Sequence, residues 1–185
     1  MARGAGFTCE ENFMQDRNKG FTLTELLIVV MVIGILSAVT VPQFNKIFLT
    51  RQTTEAENIL TAIRQEQIMR CMDMSGYAYK VNELRSLDAL AKDTRNQAIS
   101  KYFIYTVTGF NASRGMASAM SSSNRALRLA MPSYADGRIC CEGTACVRIN
   151  KNYISCEDLE TELKNAYDAN RQGDTALAQD LRCSR

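Results

Sequence analysis

The sequence predicts an α+β protein: a long N-terminal helix, membrane-spanning in its first half and amphipathic in its second, packed on a sheet of three or four antiparallel strands. Three observations predict it. Residues 21–41 are largely apolar and carry one charge, Glu25. Between Gly34 and Gly76 the only residue that opposes a helix is Pro42, and the next Pro is Pro132, so one helix is expected from residue 21 to about 73. Aromatic and β-branched stretches separated by turn residues then follow without intervening helical repeats, which is the α+β pattern.

Composition narrows the function classes. The 185 residues carry 22 Lys and Arg against 20 Asp and Glu, a net charge of +2, with no block of like charges that would mark a nucleic-acid surface. There is no His and no Trp, and the nucleophile-elbow, zinc-protease, phosphate-loop and dinucleotide-binding motifs are absent. An enzyme is therefore disfavoured, and no cofactor is implied.

A helix of residues 21–41 would span about 31 Å, close to the ~30 Å hydrocarbon core of a bilayer. A cleaved secretory signal fits poorly, because a cut after Ala38 leaves Leu36 at −3 where a small residue is needed. An uncut anchor would let Glu25 snorkel to the interface, tethering an enzyme or receptor domain. Arg3, Arg17 and Lys19 precede the segment while Lys46 and Arg51 follow it, so charge alone does not orient it. The cysteines do. Six of the seven, Cys71, Cys140, Cys141, Cys146, Cys156 and Cys183, lie beyond the apolar run, which points to an oxidising compartment for the C-terminal part and a cytoplasmic N-terminus.

The stretch Lys19-Gly20-Phe21-Thr22-Leu23-Thr24-Glu25 resembles the processing site of the bacterial type IV pilin and pseudopilin family. A basic residue and Gly precede Phe, Glu stands at the fifth position after the cut, and about twenty apolar residues follow. The resemblance implies a pilin fold, cleavage between Gly20 and Phe21 by a prepilin peptidase, and N-methylation of Phe21. Residues 1–20 would be the leader, 21–74 the long helix with 21–41 as its transmembrane and assembly segment, and 75–185 the globular head. Met14 offers an alternative start.

The same resemblance gives Glu25 a purpose. A carboxylate deep in a membrane helix costs ~2.5–3.5 kcal/mol on insertion scales, less near the interface. In a waiting subunit it is expected to lack a partner, which the Phe21 ammonium of a neighbouring subunit then supplies. Gly34 and Pro42 fall where the family loosens its helix on assembly; read without the family, Pro42 simply kinks the membrane exit. Expected partners are copies of the chain and other pilins, the peptidase and methyltransferase, an inner-membrane assembly platform, and lipid before assembly. The expected location is the bacterial inner membrane, then either an extracellular pilus or, in the pseudopilin alternative, a periplasmic piston of a type II secretion system.

Within the head, Ala56, Ile59, Leu60, Ile63 and Met72 are candidates for the inward helix face, interrupted around residues 65–67. A short helix is expected over 82–91, strands over 102–108, 126–131, 138–141 and 146–149, a loop over 111–124, and a helix after the capping pair Ser155 and Asp158. Family resemblance favours Cys156–Cys183 as the bridge that staples the C-terminal region. It would close a 28-residue loop worth roughly 3 to 4 kcal/mol. The other four cysteines stay unassigned. Zinc is disfavoured, since Cys140, Cys141, Cys146 and Cys156 lack a C-x₂-C spacing. Some pseudopilins bind calcium in the C-terminal loop, but Glu157, Asp158, Asp168 and Asp174 are spaced as a solvated helix surface, so no metal is expected.

Overall fold

The structure is a computed structural model and describes residues 21–108, 116–123, 125–149, 152–169 and 175–184. Its contacts divide the chain into two units, the first ending at Val41 and the second beginning at Pro42.

Helix α1 covers Leu23–Met72, fifty residues, and its helical backbone continues across Gly34 and Pro42. Leu23–Val41 is long and apolar enough to cross a membrane, and none of it is buried. Within the second unit α1 buries Thr53, Ala56, Leu60, Ile63 and Gln67 completely. Their alternating three- and four-residue steps keep one stripe of the helix facing inward. Ile59 packs at its margin, whereas Met72, expected on this face, is 75% exposed.

Seven strands follow in sequential order: β1 (Ala91–Lys92), β2 (Gln97–Ile99), β3 (Phe103–Val107), β4 (Ala117–Ser121), β5 (Arg128–Met131), β6 (Cys140–Glu142) and β7 (Ile154–Ser155). Neighbours are antiparallel except β6 and β7, which run parallel. The sheet is thus mixed and larger than the expected three or four antiparallel strands. The α+β class holds.

Two packed layers follow from strand alternation. Phe103, Tyr105 and Val107 of β3, Leu129 and Met131 of β5, and Cys141 of β6 share the main core with Leu60 and Ile63 of α1. Ala130 and Cys140, one residue away on the same strands, point to the other face and pack under Leu159 and Leu163 of α2 (Cys156–Ala169) and Leu177 of α3 (Ala176–Cys183). Helix α2 begins as expected: the Ser155 hydroxyl accepts from the Asp158 N–H at 3.1 Å and donates to the Asp158 carboxylate at 2.6 Å.

Several local expectations give way. Residues 81–87 form two 3₁₀ turns, Val81–Glu83 and Arg85–Leu87, rather than an α-helix. Glu66 of α1 caps the second turn by accepting the Arg85 and Ser86 N–H groups, each at 2.8 Å. Strand β4 lies inside the stretch expected as a loop. Cys146–Arg148 is a 3₁₀ turn with Val147 92% exposed, where a strand was expected. Here a bridge to Cys141 holds the chain in a tight return.

Candidate functional site

The start of α1 is closed by reciprocal bonds between Thr22 and Glu25. The Thr22 hydroxyl oxygen accepts from the Glu25 N–H at 3.2 Å, while the Thr22 N–H and hydroxyl donate to Glu25 Oε2 at 2.9 and 2.8 Å. This is a capping box, Thr-x-x-Glu, in which the backbone N–H of each residue, left without an intrahelical partner, is satisfied by the other residue's side chain. The expectation that Glu25 waits without a partner is therefore corrected. The Thr22-x-x-Glu25 spacing is itself a capping signal present in the sequence.

Phe21 is 83% exposed, and Leu26, Val30, Ile33, Leu36 and Val41 are all exposed on the helix that follows. A helix apolar around its whole circumference needs lipid or other helices against it. Among the described residues a Cβ at Gly34 would meet nothing within 4 Å, so no close approach there calls for glycine. Gly20 lies outside the described residues.

All six cysteines beyond the apolar run are paired, but not as favoured. Cys71 at the end of α1 joins Cys183 at the end of α3 with a Cα separation of 5.3 Å, and Cys140 joins Cys156 at 4.8 Å. Cys141 joins Cys146 at 5.9 Å. The expected Cys156–Cys183 bridge is therefore corrected: Cys156 opens α2 beside β6, which pairs with the preceding strand β7, and Cys183 closes α3 where it meets Cys71 near the end of α1.

A buried polar junction, which the sequence reading missed, surrounds the Cys71–Cys183 bridge. Asp180 of α3 has no solvent exposure, and its carboxylate accepts from the Tyr77 hydroxyl at 2.8 Å, the Ala135 N–H at 3.1 Å and the Ser133 hydroxyl. Burial pushes its pKa up, outweighing those three donors. Arg64 donates to the carbonyls of Tyr134 at 2.6 Å and Ala135 at 3.2 Å, and the Tyr77 N–H donates to the Cys183 carbonyl at 3.0 Å. Helix α1, the Ser133–Gly137 turn and α3 are thereby joined. This arrangement ties the fold together: Asp180 is fully buried and both of its carboxylate oxygens accept hydrogen bonds.

A groove of about 950 Å³ opens beside β6, α2 and α3, lined in part by Arg128, Glu142, Glu160, Tyr153 and Tyr167. Burial raises the Glu160 pKa, Arg128 opposes the rise and Glu142 adds to it. Among the described residues no group of three or more potential metal ligands is gathered anywhere. Of the acidic residues considered for calcium, Asp158 is occupied as a helix cap and Asp174 lies outside the described residues.

A model of the prokaryotic N-terminal methylation motif matches residues 15–41. The type IV major pilin protein PilA of Myxococcus xanthus (strain DK1622) is 40% identical over 68 residues, 37% of this chain and 31% of that protein. A fimbrial protein of Pseudomonas aeruginosa is 46% identical over 46 residues, 25% of this chain and 30% of that protein. The alignments thus span less than a third of these relatives' own length. No solved structure matches. The methylation motif, whose residues 23–41 lie on the capped apolar helix, and the pilins that align with part of this chain together support a resemblance to the type IV pilin family.

Proposed function

We propose that the chain is a structural subunit of a type IV pilus. In this reading residues 1–20 are a leader removed between Gly20 and Phe21, Phe21 is N-methylated, residues 21–74 form the assembly helix, and 75–185 the head. The subunit waits in the inner membrane with its N-terminus cytoplasmic, and an assembly platform moves it into the fibre. The observation that carries the reading is a capped, wholly exposed apolar helix, Leu23–Val41, within the matched methylation motif.

The capping box refines how Glu25 acts. Before docking, Thr22 holds one carboxylate oxygen, Oε2. Among the described residues Oε1 has no partner, so it is open to the Phe21 ammonium of a neighbouring subunit. In a low-dielectric surrounding that attraction is far stronger than in water, and a wrong stagger leaves the ammonium unpaired. Pairing therefore selects register more than it adds stability. Gly34 and Pro42 are the positions where the helix would loosen during packing, because Pro42 has no N–H for the Ala38 carbonyl.

Glu25→Ala should leave membrane insertion and leader removal intact while lowering filament yield, scored by mass spectrometry of the N-terminus and electron microscopy of sheared fibres. Normal fibre numbers would remove the pairing role. Short periplasmic fibres without surface pili would replace the pilus by the secretion piston, and an intact leader would reject both.

A further inference from the structure

We propose that this chain is a substrate of a thiol–disulfide isomerase, which corrects a mispaired form locked in the wrong register of β6. The argument starts from two adjacent cysteines. Cys141 faces the main core opposite Leu129 and is bridged to Cys146, while Cys140 faces α2 opposite Ala130 and is bridged to Cys156. A one-residue slip of a strand exchanges its two faces. In slipped β6, Cys140 would point to the Cys146 side and Cys141 to the Cys156 side. The alternative bridges Cys140–Cys146 and Cys141–Cys156 would then fasten that register.

Loop entropy does not prevent this. The native bridges separate their cysteines by 16 and 5 residues, and the alternatives close loops one residue shorter and one longer. What favours the native register is Gly143. Its φ is +108°, and a Cβ there would lie 1.8 Å from the Ala126 carbonyl oxygen. A slip in either direction puts Glu142 or Thr144 in that place, and each carries a Cβ. The native isomer is therefore the more stable, yet an oxidant that joins cysteines before β6 has paired can trap the other.

The repair is redox-neutral. An isomerase thiolate attacks Cys146 Sγ, breaking the Cys140–Cys146 bond and releasing the Cys140 thiolate. That thiolate attacks Cys156 Sγ, forming Cys140–Cys156 and releasing Cys141. The Cys141 thiolate then attacks Cys146 Sγ in the mixed disulfide, forming Cys141–Cys146 and returning the isomerase thiolate. In the native fold Cys146 and Cys156 are the half-buried members of their pairs and, with Cys141, line the groove beside α2.

The test reoxidises reduced, unfolded full-length chain in detergent micelles with oxidised glutathione alone, then adds a dithiol isomerase or its active-site cysteine-to-serine variant. Bridges are assigned by tandem mass spectrometry with fragmentation between Cys140 and Cys141. Oxidant alone should give abundant Cys141–Cys156 linkage, which the active isomerase converts to native pairing in minutes rather than hours and the serine variant does not. Gly143→Ala should leave more Cys141–Cys156 linkage after isomerase treatment than the natural sequence does. Complete native pairing with oxidant alone would overturn the proposal, as would a mispaired population lacking Cys141–Cys156 or an unchanged linkage in Gly143→Ala. None of these readouts depends on filament assembly, so the proposal stands or falls separately from the pilus reading.

Discussion

Gln67, buried on α1, bonds both backbone groups of Ala78: its amide nitrogen donates to the Ala78 carbonyl and its amide oxygen accepts the Ala78 N–H, both at 2.8 Å. One side chain thus replaces a strand partner for the segment that leaves the helix. Gln67→Leu keeps the volume and orphans both groups, and each buried orphan costs about 1–3 kcal/mol. The expected outcome is a destabilisation of about 2–6 kcal/mol in urea unfolding of the purified protein in micelles.

Asp180 and Glu66 should give opposite pH dependences. Burial raises Asp180 above its ordinary value, so its contribution to stability is fully present below the unfolded pKa, about 3.9, and is lost as pH rises through the folded one. Asp180→Asn should flatten that loss, because an amide resembles the protonated acid. Glu66 is also raised by burial, but the Ser86 and Arg85 amides outweigh this and hold it below the usual carboxylate range. Its contribution is present above its unfolded pKa and is lost as pH falls through the folded one, and Glu66→Gln should remove that acid-side loss. Unfolding free energies measured across pH 3–7 on the two variants check both signs, ~3–7 being the range that brackets the unperturbed carboxyl values.

Gly143→Ala is expected to destabilise by about 2 kcal/mol or more, since it combines a left-handed backbone with a collision against the Ala126 carbonyl oxygen. The midpoint of thermal unfolding reads this, with Gly34→Ala as the comparison. None of the described residues stands within 4 Å of a Cβ at residue 34, so the head of that variant should unfold at an unchanged temperature.

Replacing Cys71 and Cys183 together by Ser should cost about 4 kcal/mol, because their bridge spans a sequence separation of 112 and loops near 100 residues are worth ~4.7 kcal/mol in the chain-entropy model. Hydrogen exchange should show amide protection lost first over α3, whose end this bridge ties to α1.

Thr22→Val retains the shape but removes the hydroxyl that accepts from Glu25 N–H and donates to its carboxylate. About 1 kcal/mol of capping is lost, and Thr22→Ser should restore it. If Thr22 positions Glu25 for assembly, filament yield should fall in the valine variant and recover in the serine variant, with leader removal unchanged in both.

What the sequence disclosed follows from where physics is local. The apolar run and the Ser155–Asp158 cap depend on neighbours a few residues apart, and both were readable. Strand β4 was not, because Ala117-Ser118-Ala119-Met120-Ser121 has weak intrinsic strand preference. It becomes a strand through pairing with β3 and β5, where small side chains fit the core and the Ser118 and Thr106 hydroxyls bond across strands at 2.8 Å. Gln67 looked like an interruption of the inward face because its partner, the Ala78 backbone, carries no sequence signature. Disulfide choice was equally hidden: Cys183 meets Cys71 only after α3 has returned across the head, at a sequence separation of 112.

If the chain assembles into the pilus proposed above, the uncovered side chains of Leu23–Val41 restrict how a subunit leaves the fibre. Surrendering each one to water costs about 1 kcal/mol or more, so exposing the whole segment amounts to about 10 kcal/mol or beyond. A subunit shed into the medium would clump rather than diffuse. Under that proposal, dismantling would have to return each copy directly to a bilayer, making lipid the reservoir from which the same copies are drawn again.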